Sequence, residues 1–162
     1  MNLEKFVAVT GNVNGVFKVM ATRGNGLIIT DLDTGKHKFA SQRLNDFTPI
    51  ESVGIYTDDD GTKPLPEIFQ EMLNQLETNP PISHNAKPDE LFAYFETVVP
   101  NYDRDKVLPR DIKKVIKWFM FLNDRNLLTA DDTENPEEGE TATLESEEDE
   151  ATNTTSVEEI TE

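Results

Sequence analysis

Few residue groups in this chain of 162 residues have types and spacing that could do chemistry. The two histidines, His37 and His84, stand far apart, and neither has a nucleophile or an acid at a motif spacing. Each reads better as a surface or turn histidine than as half of a catalytic pair. The run Asp58-Asp59-Asp60-Gly61 looks like part of a calcium loop. In that register Tyr56 would occupy the first ligand position and Glu67 the last, and no helix leads in, so a solvated turn before Pro64 is the better reading. Gly24 and Gly26 are followed by strand-like sequence, whereas a phosphate-cradling loop opens a helix. Arg110, Lys113, Lys114 and Lys117 recur at i, i+3, i+4 and i+7, with Arg104 and Lys106 just before them. On a helix these four bases share one face, which could contact phosphates or an acidic protein partner. An ordinary solvated amphipathic helix shows the same pattern.

The net charge of −17 is unevenly distributed. Residues 129-162 hold 14 acids and no Lys or Arg, which leaves 18 acids against 15 bases in the remainder. The acidity therefore belongs to the end of the chain, and the rest is close to balance. There is no cysteine, hence no disulfide framework and no thiolate metal site. The opening MNLEKFVAVTGN is a poor signal sequence, and no apolar run approaches the roughly 20 residues that span a bilayer. These features lead us to expect a soluble cytoplasmic protein.

The elements that would position the bases follow from periodicity and punctuation. After a short leading segment, Leu3–Val9, strands are expected over Gly15–Thr22, Leu27–Leu32 and Lys36–Ala40, and a fourth at Ser52–Thr57 follows a loop containing Thr48-Pro49. Gly24-Asn25-Gly26 supplies an Asn-Gly pair suited to a tight hairpin with positive φ at both centres. The fold class expected is α+β, a small SH3-like, partly open β-barrel with a covering helix, then a two-helix unit and a disordered acidic tail.

Three helices read clearly. Leu65, Ile68, Phe69, Met72, Leu73 and Leu76 form a continuous apolar stripe behind Pro64 and Pro66. A second helix starts at Pro88, carries Leu91, Phe92, Phe95, Val98 and Val99, and stops at Pro100. The last runs from Pro109 to about Arg125, with Ile112, Val115, Ile116, Phe119 and Leu122 as its buried stripe and Trp118 and Phe121 widening it. Residues 129-162 hold too little apolar surface to offset ordering entropy and are expected to be disordered. The expected organisation is a β-rich domain at 1-78, a linker at 79-87, a helical domain at 88-128 and the tail.

Several segments together carry a family resemblance. Gly15-Val16-Phe17-Lys18, Asn25-Gly26-Leu27-Ile28, Ile55-Tyr56-Thr57 and Pro64-Leu65-Pro66-Glu67-Ile68 occur in that order. They are followed by Ile82-Ser83-His84, Asp89-Glu90-Leu91, Tyr94-Phe95, Val99-Pro100-Asn101-Tyr102-Asp103, Asp111-Ile112-Lys113-Lys114 and Trp118-Phe119. The sequence from Met1 to about Leu128 resembles a Bacteroidetes family known only as a domain of unknown function. The resemblance implies a β-rich half, a helical half and often a Glu-rich tail, and it brings no activity, cofactor or catalytic residue. Pro109-Arg110 departs from it where a Ser-type helix cap is expected.

The functional expectation is a non-catalytic protein-interaction or adaptor module with an unidentified protein partner, no cofactor, no metal and no membrane association. The alternative is a nucleic-acid-binding or regulatory protein that uses Arg110, Lys113, Lys114 and Lys117, modulated by the acidic tail. Oligomeric state is not readable from the sequence.

Overall fold

The computed structural model describes residues 1–128. The expected disordered acidic tail at 129-162 lies outside the described residues.

The fold is α+β. Five strands form one antiparallel sheet: β1 (Phe6–Gly11), β2 (Gly15–Arg23), β3 (Gly26–Thr30), β4 (His37–Ser41) and β5 (Asn45–Pro49), in the order β4-β3-β2-β1-β5. β4 and β5 are its edges and no ladder joins them, so the sheet is open and does not close into a barrel. The register of β2 against β3 shifts between Val19 and Ala21, an irregularity of the kind that bends a strand. Alternate side chains of β1 serve opposite faces. Phe6 and Ala8 join the main core, whereas Val7 and Val9 pack with Phe17, Ile29 and Ala40 in a smaller cluster on the other face.

The expected strand at Ser52–Thr57 is not the fourth member of this sheet. Asn45–Pro49, expected to be loop, pairs along β1 instead. Its sequence NDFTP has only Phe47 as a large apolar residue, so the alternation that marks a half-buried strand is missing. A 3-10 turn at Ile50–Ser52 then leads to a separate hairpin, β6 (Gly54–Tyr56) with β7 (Thr62–Pro64). The β2–β3 hairpin forms at Gly24-Asn25, but neither Asn25 nor Gly26 has a positive φ. Gly26 is needed for another reason: a Cβ there would collide with the carbonyl oxygen of Ala40 on β4.

The helices are α1 (Leu65–Asn74), α2 (Pro88–Val98) and α3 (Pro109–Asn123). All three start on a Pro-containing first turn, where the missing N–H has no partner to lose. Leu108, not a Ser, precedes α3, and the Asp111 carboxylate closes that turn by accepting the Leu108 N–H at 3.0 Å. α3 ends two residues earlier than expected, where Asn126 at φ 54° turns the chain and Leu127 N–H returns to the Leu122 carbonyl at 3.0 Å.

One core cluster gathers Leu3, Phe6 and Ile50, the α1 residues Ile68, Phe69 and Met72, and the α2 and α3 residues Leu91, Phe95, Ile112, Ile116 and Phe119. Phe69 meets Phe119 edge to face with centroids 5.6 Å apart. The α2–α3 connection is tied to the β6–β7 hairpin, because Asp58 N–H donates to Asn101 at 2.9 Å and Asp103 N–H to Tyr56 at 2.8 Å.

Candidate functional site

A cleft of about 600 Å³ lies between the sheet, the β6 strand and α3. Its apolar floor includes Ala8 and Val16 of the sheet, Ile55 of β6, Val107 of the α2–α3 connection and Val115 of α3. Along α3, Lys114, Lys117, Trp118 and Phe121 follow i, i+3, i+4 and i+7, so the helix offers the cleft one continuous stripe. Lys106 and Tyr56 complete the rim, with the ammonium 5.6 Å from the ring centroid.

The cleft's three lysines are not equivalent. Lys106 lies 3.3 Å from both Asp60 Oδ1 and Asp103 Oδ2. Hydrogen bonds to these carboxylates push its pKa above the ordinary lysine value. Asp103 is held below the ordinary carboxylate range, chiefly by the backbone N–H of Asp105. Lys114 and Lys117 are exposed and form no ion pair among the described residues. They are the cleft's available positive charge, and they line it together with the half-buried Trp118.

The four sequence-designated bases are thus divided. Lys114 and Lys117 line the cleft, whereas Lys113 and Arg110 do not, and Arg110 sits 4.0 Å from Asp111. On a helical wheel Lys113 falls on the outer flank of this stripe, whereas Arg110 shares the stripe's direction but sits at the very start of α3. The calcium-like run is the β6–β7 turn. Asp59 Oδ1 accepts the Thr57 hydroxyl and the Gly61 N–H, and these bonds hold its pKa below the ordinary carboxylate value. Asp60, at φ 61°, faces Lys106. Gly24 and Gly26 lie at the β2–β3 hairpin, with strand following. His37 bonds Thr30 Oγ1 at 2.8 Å, and neither histidine lines the cleft.

Sequence reasoning missed the contribution of β6. Val53, Gly54, Ile55 and Tyr56 all border the cleft. The segment is too short to show a period, and only the tertiary pairing reveals which edge is covered. Away from the cleft, Tyr94 on α2 is 5 % exposed and its hydroxyl has no hydrogen-bond partner among the described residues. Burial pushes this phenol up to about 12.

An open antiparallel sheet and three helices, with an apolar cleft between the sheet, β6 and α3, define an α+β domain. Comparison with known proteins places the chain in a family. Residues 53–122 match a family described as a domain of unknown function (DUF6852). A solution NMR structure of a protein from Bacteroides vulgatus is 31% identical, covers 79% of this chain and 90% of that chain, and superposes with a TM-score of 0.62. The chain belongs to this uncharacterised family, as the sequence resemblance implied. No curated protein shows significant similarity.

Proposed function

We propose that this chain is a non-catalytic, cytoplasmic protein-interaction module whose cleft docks an extended acidic segment of a protein partner. The observation that carries this reading is the pairing of an apolar floor with two lysines beside Trp118, Lys114 and Lys117, that form no ion pair among the described residues. An apolar floor removes side-chain surface from water, and the flanking cations select acids over bases. The bent sheet order β5-β1-β2-β3-β4 supports an SH3-like ancestry for the scaffold, a form that commonly presents peptide grooves. Separate folding of 1-78 and 88-128 is a further part of the proposal.

Trp118 is the chain's single tryptophan, so its emission reports on the cleft. A short synthetic peptide alternating Val and Glu should change that emission saturably in the full chain. Lys114→Glu with Lys117→Glu should weaken the binding at least tenfold. A Val/Lys peptide that binds equally well would overturn the reading. The nucleic-acid alternative rests on Arg110 and Lys113 as well as the cleft lysines. Single-stranded RNA or duplex DNA bound through those two outer bases, with no response to the acidic peptide, would replace the peptide reading.

A further inference from the structure

We infer that the partner's acidic segment is held as an added β-strand, antiparallel to the outer edge of β6, with its acids opposite Gly54 and Tyr56 and an apolar residue opposite Ile55. The inference rests on the cleft being a docking site for such a segment. It adds how the segment is gripped and which of its residues are read.

The edge follows from the hydrogen bonds. Val53 C=O accepts Leu65 N–H at 2.9 Å and Thr57 N–H donates to the Gly61 carbonyl at 3.1 Å, so both groups turn toward β7. Backbone groups alternate between the two edges of a strand. Those of Ile55 therefore also turn toward β7, and those of Gly54 and Tyr56 turn outward. The chain itself begins to cover this outer edge. Asp58 N–H donates to the Asn101 carbonyl at 2.9 Å and Asp103 N–H to the Tyr56 carbonyl at 2.8 Å, with Thr57 opposite Tyr102 in an antiparallel bridge. The cover stops at Asp103, whose Oδ1 accepts the N–H of Asp105 at 2.9 Å and of Lys106 at 3.1 Å and so turns the chain away. Past that point the Tyr56 N–H and the Gly54 N–H and C=O have no partner among the described residues. Both residues are exposed and border the cleft.

A row of backbone groups on an exposed edge is what an extended chain can satisfy. Gly54 adds no side chain to hold such a chain off. The Asn101–Asp103 pairing gives the direction, since a strand continuing it runs antiparallel to β6. In antiparallel pairing, directly opposite residues project to the same face, and only alternate pairs exchange hydrogen bonds. Ile55 is buried in the floor, whereas Tyr56 is exposed at the rim with Lys106 near its ring. Partner residues opposite Gly54 and Tyr56 thus bond β6 through their own N–H and C=O and send their side chains to the rim. The residue opposite Ile55 sends its side chain to the floor and turns its backbone away from β6.

Charge assigns the two sets. Lys114 and Lys117 are exposed along the cleft and form no ion pair among the described residues, which favours acids at the rim. The floor of Ala8, Val16, Ile55 and Val115 favours an apolar side chain.

The test uses the full chain and the short Val/Glu peptide, with backbone N-methyl groups on either its central Glu or its central Val residues. N-methylation of Glu removes the donors aimed at β6 and should weaken binding, read by Trp118 emission, at least about tenfold. N-methylation of Val should change it less than about threefold, because those N–H groups point away from β6. Saturation with the unmodified peptide should slow amide exchange at Gly54 and Tyr56, read by NMR, at least about tenfold. A peptide that binds with both N-methyl series equal, or with the Val series the more sensitive, overturns the inference and leaves the docking site standing. Binding that leaves the two amides exchanging as before does the same. Amides already as slow in the free chain as in the complex also overturn it, and protection that falls on dilution would assign the edge to a second copy. No binding of the unmodified peptide removes the docking site and the inference together.

Discussion

One helix, α3, meets two opposite surroundings. On one side Ile112, Ile116 and Phe119 are fully buried against α1, α2 and the first residues of the chain. On the other, Lys114, Lys117 and Trp118 border an open cleft with a floor that is equally apolar. The comparison shows that apolar character alone does not decide what a helix face is for. The core side is filled by other parts of the described chain, and the cleft side has space that no described residue fills, with cations at its rim that form no ion pair among the described residues. That combination is the ground for the docking proposal, because a site serving stability alone is better closed by packing.

The largest effect should come from the core side. Phe119→Ala removes a ring packed edge to face on Phe69 and is expected to cost about 3–5 kcal/mol in denaturant unfolding. In the wild type, unfolding followed by Trp118 emission and by helical circular dichroism should coincide, because α1, α2 and α3 share a cluster. Two separated transitions would blunt the comparison by showing that the 88-128 helices fold apart from the rest.

Arg125 joins the two surroundings at the end of α3. It bonds both carboxylate oxygens of Asp33 at 2.8 Å and lies 3.6 Å from the Phe121 ring centroid. Arg125→Ala should cost about 1 kcal/mol and loosen the Phe121 wall of the cleft. Unfolding in high salt should show only part of that loss, because the stacking contribution survives screening.

The core side also has an imperfection in Tyr94. Its hydroxyl is buried without a partner, so Tyr94→Phe should stabilise the protein by about 1 kcal/mol. The phenol titrates near 12 when folded and near 10 when unfolded. Between these values the unfolded state holds fewer protons, so stability falls as pH rises from about 10 toward 12. The Phe variant should lose that part of the alkaline slope, and an unchanged slope would assign it to other groups.

The smallest stability effect is expected on the cleft side. Lys114→Glu with Lys117→Glu should leave unfolding within about 0.5 kcal/mol of the wild type, because both residues are exposed and form no ion pair among the described residues. The same pair should weaken the acidic peptide's binding, read by Trp118 emission, at least tenfold. A large loss of stability would make these lysines part of the scaffold and erase the contrast.

Much of the scaffold was legible in local pattern. The α1, α2 and α3 stripes and their Pro starts are periodic features that one helix displays by itself. β5 was not legible, since NDFTP has no alternation and is a strand only because β1 offers it a partner. The site was half legible. Lys114 and Lys117 stand out by type and spacing, but Trp118 reads as an extension of the buried stripe, and the division of the basic face, with Arg110 and Lys113 outside the cleft, depends on where the sheet lies.

By itself, the sequence determined the helices, most of the main sheet and the location of the charge, because each depends on neighbours within a few turns or on composition. Only the tertiary structure decided that the sheet stays open, that β6 pairs with β7 apart from the main sheet, and that two of four aligned lysine and arginine residues face an apolar cleft. The physical reason is that a backbone edge or a cleft is defined by what fails to pack against it, and such an omission is a property of the whole arrangement of elements.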